Sequence, residues 1–256
     1  MQLLSCGSGT PQRHLNSDML QDPAALRTVS PNREVAMKKV DAVKTFTTMS
    51  ISDLDALGVL DEADCTVSHG CDQKWFASPW QRRTGCGPTA ASNLLLYRNR
   101  SRRNAGNFPC KTDALKLMDE VWNYMTPGDK GIPTTEMFRS SVYGYGTAKG
   151  LRLRCLSCDI PEEKKRRPAL AEVTSFLETA LADDVATAFL NLCNGQEKNL
   201  EGWHWVTVVS VEKTAKDASK LFIRILDEGV IKRVDLPLWL NTTERGGGFV
   251  RLVDGD

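Results

Sequence analysis

A change of hydrophobic period partway along the chain constrains its fold more than any other feature. From residue 87 apolar residues recur at helical spacing, and past Leu151 they alternate as they do in a half-buried strand. A run rich in Ala and Leu, with Pro88 in its first turn, predicts a helix over 87–99 whose small residues permit close packing in a core. A second helix follows Lys111 and Thr112, with Leu115, Met118, Val121, Trp122 and Met125 on one face. A third follows Pro133 and Thr134, with Met137, Phe138, Val142 and Tyr145, and a fourth covers 168–182. A further helical pattern, Ile51, Leu54, Leu57 and Leu60, precedes them. Strands are predicted from Leu151 and over 185–193, 203–212, 220–227, 230–235 and 247–253. Helices first and strands afterwards argue for an α+β fold with helices segregated from an antiparallel sheet. The short link between 203–212 and 220–227 allows those two strands only an antiparallel pairing.

Charge and length narrow the function classes. The chain has 256 residues, enough for one large domain or two small ones. Its 33 Lys and Arg against 32 Asp and Glu leave a net charge of +1. That balance argues against a nucleic-acid partner, which needs a cationic surplus. No apolar run approaches the ~20 residues of a membrane span, so no membrane partner is expected. Residues 1–45 mix prolines, polar residues and short apolar groups, and read as a loosely ordered arm or accessory segment. Residues 46–256 read as one domain, which holds the chain's reactive segments. Leu3–Cys6 echoes a lipoprotein cleavage box, without the apolar stretch a secretion signal requires. A cytoplasmic location is therefore expected, with the eight cysteines reduced.

Reactive chemistry concentrates in three segments. Cys86 opens the 87–99 helix within Gln81-Arg-Arg-Thr-Gly-Cys-Gly-Pro-Thr-Ala-Ala-Ser-Asn. The free N–H groups and partial positive charge of a helix N-terminus favour thiolate over thiol. Gly85 and Gly87 remove side chains on either side of the sulfur, which would let a substrate carbonyl approach. His204, one of only three histidines, lies in the strand Gly202-Trp-His-Trp-Val-Thr-Val-Val-Ser-Val. Asp227 ends the strand Leu221-Phe-Ile-Arg-Ile-Leu-Asp. On its own it is a turn residue bonding backbone N–H groups. From a neighbouring strand it can accept the second ring N–H of His204 and fix its tautomer.

In that order, Cys86, His204 and Asp227 resemble the papain-like cysteine peptidases, and most closely their C39-like subgroup, related to the bacteriocin-processing peptidases. The matching pieces are Gln81, Cys86-Gly-Pro-Thr-Ala-Ala-Ser-Asn, His204-Trp-Val-Thr-Val-Val and Ile225-Leu-Asp-Glu-Gly, within residues 75–253. The sequence departs from the pattern in having Gly85 where many bacteriocin-processing peptidases have Asp, and it lacks the Gly-Ser-Cys-Trp string of papain. The resemblance implies a papain-like fold in which the nucleophile helix packs on a following antiparallel sheet. It implies a thiol hydrolase that cleaves a peptide or amide substrate through a Cys86 thioester, with no cofactor and no metal. It also implies that Gln81 donates its side-chain amide to the oxyanion, with Gln73 as the second candidate. The same thioester would serve an acyltransferase or transpeptidase. A binding module that keeps the fold without turnover is the reading from another class.

The remaining motifs are weaker. Cys155-Leu-Ser-Cys is a lone C-x-x-C and reads as two structural thiols. Cys65, His69, Cys71 and Cys110 match no strong zinc spacing. The basic runs 98–103 and 164–167 read as solvated charge. Five of the six tryptophans, Trp75, Trp80, Trp203, Trp205 and Trp239, lie in or near the three reactive segments. They are expected in the core, with Trp80 as the alternative wall of a substrate cleft.

Overall fold

The computed structural model describes residues 46–101, 108–214 and 217–255. The arm expected over residues 1–45 lies outside them, as do Arg102 and Arg103 of the first basic run. In chain order the elements are β1 (Phe46–Ser50), β2 (Gly58–Leu60), β3 (Val67–His69), α1 (Pro79–Thr84), α2 (Cys86–Ser101), α3 (Lys111–Trp122) and α4 (Thr135–Ala148). There follow β4 (Leu153–Ile160), α5 (Leu170–Ala182), β5 (Thr187–Asn191), β6 (His204–Thr214), β7 (Asp217–Asp227), β8 (Val230–Asp235), α6 (Leu236–Thr242) and β9 (Gly247–Asp254).

The fold is α+β, with a seven-stranded sheet ordered β4-β9-β5-β6-β7-β8. Every strand pair in it is antiparallel, including β6 with β7. β6 has eleven residues, as β7 does, and one of its edges is shared. Its first half pairs with β5, from Asn191↔His204 to Thr187↔Val208, and its second half with β1, from Ser50↔Ser210 to Phe46↔Thr214. The helix over 87–99 and the three after it form where their periodicity puts them. No described helix is long and apolar enough to cross a membrane.

One expectation fails locally. The apolar spacing of Ile51, Leu54, Leu57 and Leu60 does not build a helix. Asp53 caps a single 3-10 turn, Leu54–Leu57, and Gly58 then turns the chain into β2. Pairing Val59 with Ser68 of β3 satisfies backbone groups that a short isolated helix would leave to water.

α2 is buried continuously from Cys86 to Tyr97, so it is a core helix rather than an amphipathic one. It packs against β6 and α3, and α5 also packs on β6. That burial explains its small and polar residues. The Asn93 side chain accepts from the Cys71 N–H at 2.7 Å and donates to Thr207 Oγ1 of β6 at 3.1 Å. It thereby ties the 70–76 segment to both helix and sheet. Gly70, at φ +82°, runs close enough that a Cβ would sit 3.0 Å from the Asn93 amide.

Gly85 and Gly87 serve packing, a role that their place beside Cys86 in the sequence does not reveal. A Cβ on Gly85 would lie 2.5 Å from the Gln81 carbonyl and 2.7 Å from the Phe76 ring. One on Gly87 would lie 2.9 Å from Ile132. The missing side chains let α1 turn sharply into α2, and let α2 settle against Ile132. Trp205 fixes that neighbour by donating its indole N–H to the Ile132 carbonyl at 2.7 Å.

Candidate active site

Three elements bring the expected residues together. Cys86 is the first residue of α2, His204 the first of β6 and Asp227 the last of β7. All three are buried. The β6–β7 pairing aligns Thr207 with Leu226, so the strand ends carrying His204 and Asp227 lie side by side. The His204 Nε2 is 2.7 Å from Asp227 Oδ1. This leaves Nδ1 for the Cys86 sulfur, which borders the same small cavity and acts electrostatically on the imidazole.

The site's electrostatics follow from those contacts. Burial works against a charged His204, but the Asp227 carboxylate and the Cys86 sulfur outweigh it and push its pKa up from 6.5 to about 10. Burial also opposes ionisation of Asp227. Its bonds and charge interactions with His204 and Lys232 prevail and hold it below the usual carboxylate range. Lys232 of β8 donates to Asp227 Oδ2 at 2.6 Å, so both carboxylate oxygens are engaged. Nothing in the sequence reading pointed to Lys232. Its place follows from the turn at Glu228 and Gly229, both with positive φ, which folds β8 back along β7.

A pH dependence of stability follows. The unfolded chain releases the His204 proton near pH 6.5, and the folded chain holds it to about 10. The pair's contribution is therefore complete below the lower value and fades as pH rises between the two. Urea midpoints should fall across that window in the native sequence. They should fall less in His204→Gln, and an equal fall in both would show that the imidazole is not held charged.

The two glutamines separate. Gln81 sits on α1, where its side-chain oxygen accepts from the Ser78 N–H at 3.3 Å as the closing half of a capping box. It is not among the residues around the small cavity between Cys86 and His204. Gln73 is, together with Thr89 and Asn93. The Gln73 side-chain oxygen is buried without a hydrogen-bond partner, as is the Thr89 hydroxyl. Gln73, the second candidate, is thus the glutamine that borders this cavity, held in a one-turn 3-10 helix that Asp72 caps and the Lys74–Glu228 ion pair tethers.

On its open side Cys86 borders a cleft of ≈ 760 Å³. Trp80 and Trp203 stand at this cleft, 37% and 47% exposed. Trp205 instead stacks on Phe138 in the core, and the buried Trp239 donates to Asn191 Oδ1. Among the described residues no other cysteine carries such an arrangement. Burial pushes the Cys71 thiol up to about 12, Cys155 to about 12 and Cys158 to about 11. All seven described cysteines are free thiols. Among the described residues no three His, Cys, Asp or Glu side chains converge as metal ligands. Arg167, in the second basic run, is not simply solvated charge. Its guanidinium donates to the backbone carbonyls of Pro161, Glu162, Leu240, Thr243 and Glu244.

Neither a protein-family model nor a curated protein matches this chain. A functional reading therefore has to rest on the site itself.

Proposed function

We propose that this protein is a thiol hydrolase of papain-like fold, in the C39-like subgroup, that cleaves a peptide or amide bond. The observation that carries the reading is His204 bonded to Asp227 and sharing a small buried cavity with Cys86, the first residue of a buried helix. A residue kept only for packing needs no such polar sequence. Two further features support it. Gln73 offers a side-chain amide beside the sulfur, and the first turn of α2 leaves backbone N–H groups without intrahelical partners.

In this mechanism the Cys86 thiolate attacks the acyl carbon, and the oxyanion that forms is met by the Gln73 amide and the Cys86 N–H. His204, held charged by Asp227, gives its proton to the leaving amine. A water then enters, His204 takes its proton, and the thioester is hydrolysed. Asp227 keeps the ring oriented with Nδ1 toward sulfur throughout, and Lys232 keeps Asp227 ionised.

Alkylation resolved by cysteine tests the pairing without a known substrate. At about pH 6 iodoacetamide should label Cys86, and His204→Gln should slow that labelling by roughly tenfold or more while the exposed Cys65 is unaffected. Buried Cys71 should stay unmodified in both. A Cys86 rate indifferent to His204 would leave a scaffold that has the fold without the chemistry.

A further inference from the structure

We infer that the cleft beside Cys86 selects acidic peptides, with a carboxylate within a residue or two of the carbonyl under attack; this rests on the thiol-hydrolase reading. Three cationic side chains border the cleft: Arg83, Lys130 and Arg245. The single carboxylate there is Asp129. Among the described residues, none of the three cations has a carboxylate within salt-bridge reach. Two lie over indoles instead. The Arg83 guanidinium is 5.1 Å from the Trp80 ring centre and that of Arg245 is 5.6 Å from Trp203. A guanidinium placed over a ring still has N–H donors for a planar carboxylate, and the indole beside it reduces the competing water.

The backbone gives a second, independent indication. Trp203 has φ +59°, a left-handed conformation that is an outlier for so bulky a residue. It holds an indole 47% exposed, immediately before His204. Strain of this kind persists where the surroundings enforce it and collects at ligand sites. Here it sets an aromatic wall beside Arg245 in the cleft, one residue before the reacting imidazole. The cations also answer an electrostatic difficulty. An acidic substrate approaching a thiolate is repelled, and a net cationic rim offsets that repulsion.

The test compares two alkylating reagents on the full chain, iodoacetate and iodoacetamide. Both transfer a two-carbon group to sulfur as an S–C bond forms and iodide leaves, and they differ in bearing a carboxylate or a neutral amide. The rate ratio of iodoacetate to iodoacetamide at Cys86 should exceed the same ratio at exposed Cys65 by about tenfold at low ionic strength, and shrink with added salt. In the Arg83→Gln/Arg245→Gln double variant the Cys86 ratio should fall toward the Cys65 value. Should that variant not fold, Lys130→Gln alone should lower the ratio part of the way. Equal ratios at the two cysteines, with brisk iodoacetamide labelling of Cys86, would overturn the substrate inference and leave the hydrolase standing. A raised ratio that ignores all three substitutions would trace to the His204 imidazolium and would also overturn it. Cys86 inert to both reagents would remove the thiol-nucleophile reading, and the substrate inference with it.

Discussion

Cys86→Ala should give a folded protein whose turnover is lower by at least about 10⁴-fold, because the nucleophile carries the only covalent step in the mechanism. The check is peptide cleavage followed by mass spectrometry, on substrates that the native chain cuts from a peptide mixture. Cys86 is 8% exposed and belongs to the main core, so its removal is not free of structural cost. Losing one sulfur there should cost on the order of 1 kcal/mol, a shift of a few degrees in Tm. The substitution also removes one of the two partners that hold His204 charged, so the imidazole should titrate lower, a change visible in ring nitrogen NMR shifts. Full cleavage by a folded Cys86→Ala protein would assign the activity to another group. An unchanged His204 titration would show that the sulfur does not face the ring.

Gln73→Ala should lower kcat by about 100-fold with KM little changed, since an oxyanion donor acts on charge that develops only in the transition state. Gln81→Ala should do the reverse. It removes half of the Ser78 capping box and should cost about 1 kcal/mol of stability, with kcat held within a few-fold. Steady-state kinetics and thermal melts on the two variants decide between them. The contrast is sharp because the two residues lie eight positions apart on one segment yet face different surroundings. A kcat loss confined to Gln81→Ala would return the oxyanion role to α1.

The difference between the glutamines shows where sequence reasoning stops. Gln81 stands five residues before the nucleophile, and the family resemblance together with that closeness along the chain favours it. Space reverses the order. Gly85 lets α1 fold tightly against Phe76, turning Gln81 back onto its own helix cap, while Asn93 draws the 70–76 segment beside α2. A local clue existed, since Ser78-Pro-Trp-Gln81 is a capping-box pattern that commits the Gln81 side chain to the backbone. The same kind of clue, Asp235 before Leu-Pro, marks α6, whose seven residues are too few to show a period.

What the sequence determined by itself was whatever depends on neighbours along the chain. An Ala- and Leu-rich run with a Pro in its first turn specifies α2, and alternation specifies β6 and β7. The switch from one period to the other specifies the α+β class with its antiparallel sheet. Cys86, His204 and Asp227 were legible because each sits at the end of such an element, where an element's boundary shows in the residues around it. Tertiary structure alone decided the rest: Gln73 beside the sulfur, Lys232 on the far oxygen of Asp227, Arg83 and Arg245 over the two exposed indoles. Each of these contacts joins segments whose mutual placement is set by strand register and by burial of side chains far from the site. Local periodicity records which way a residue faces on its own element, and carries no information about which other element will be packed opposite.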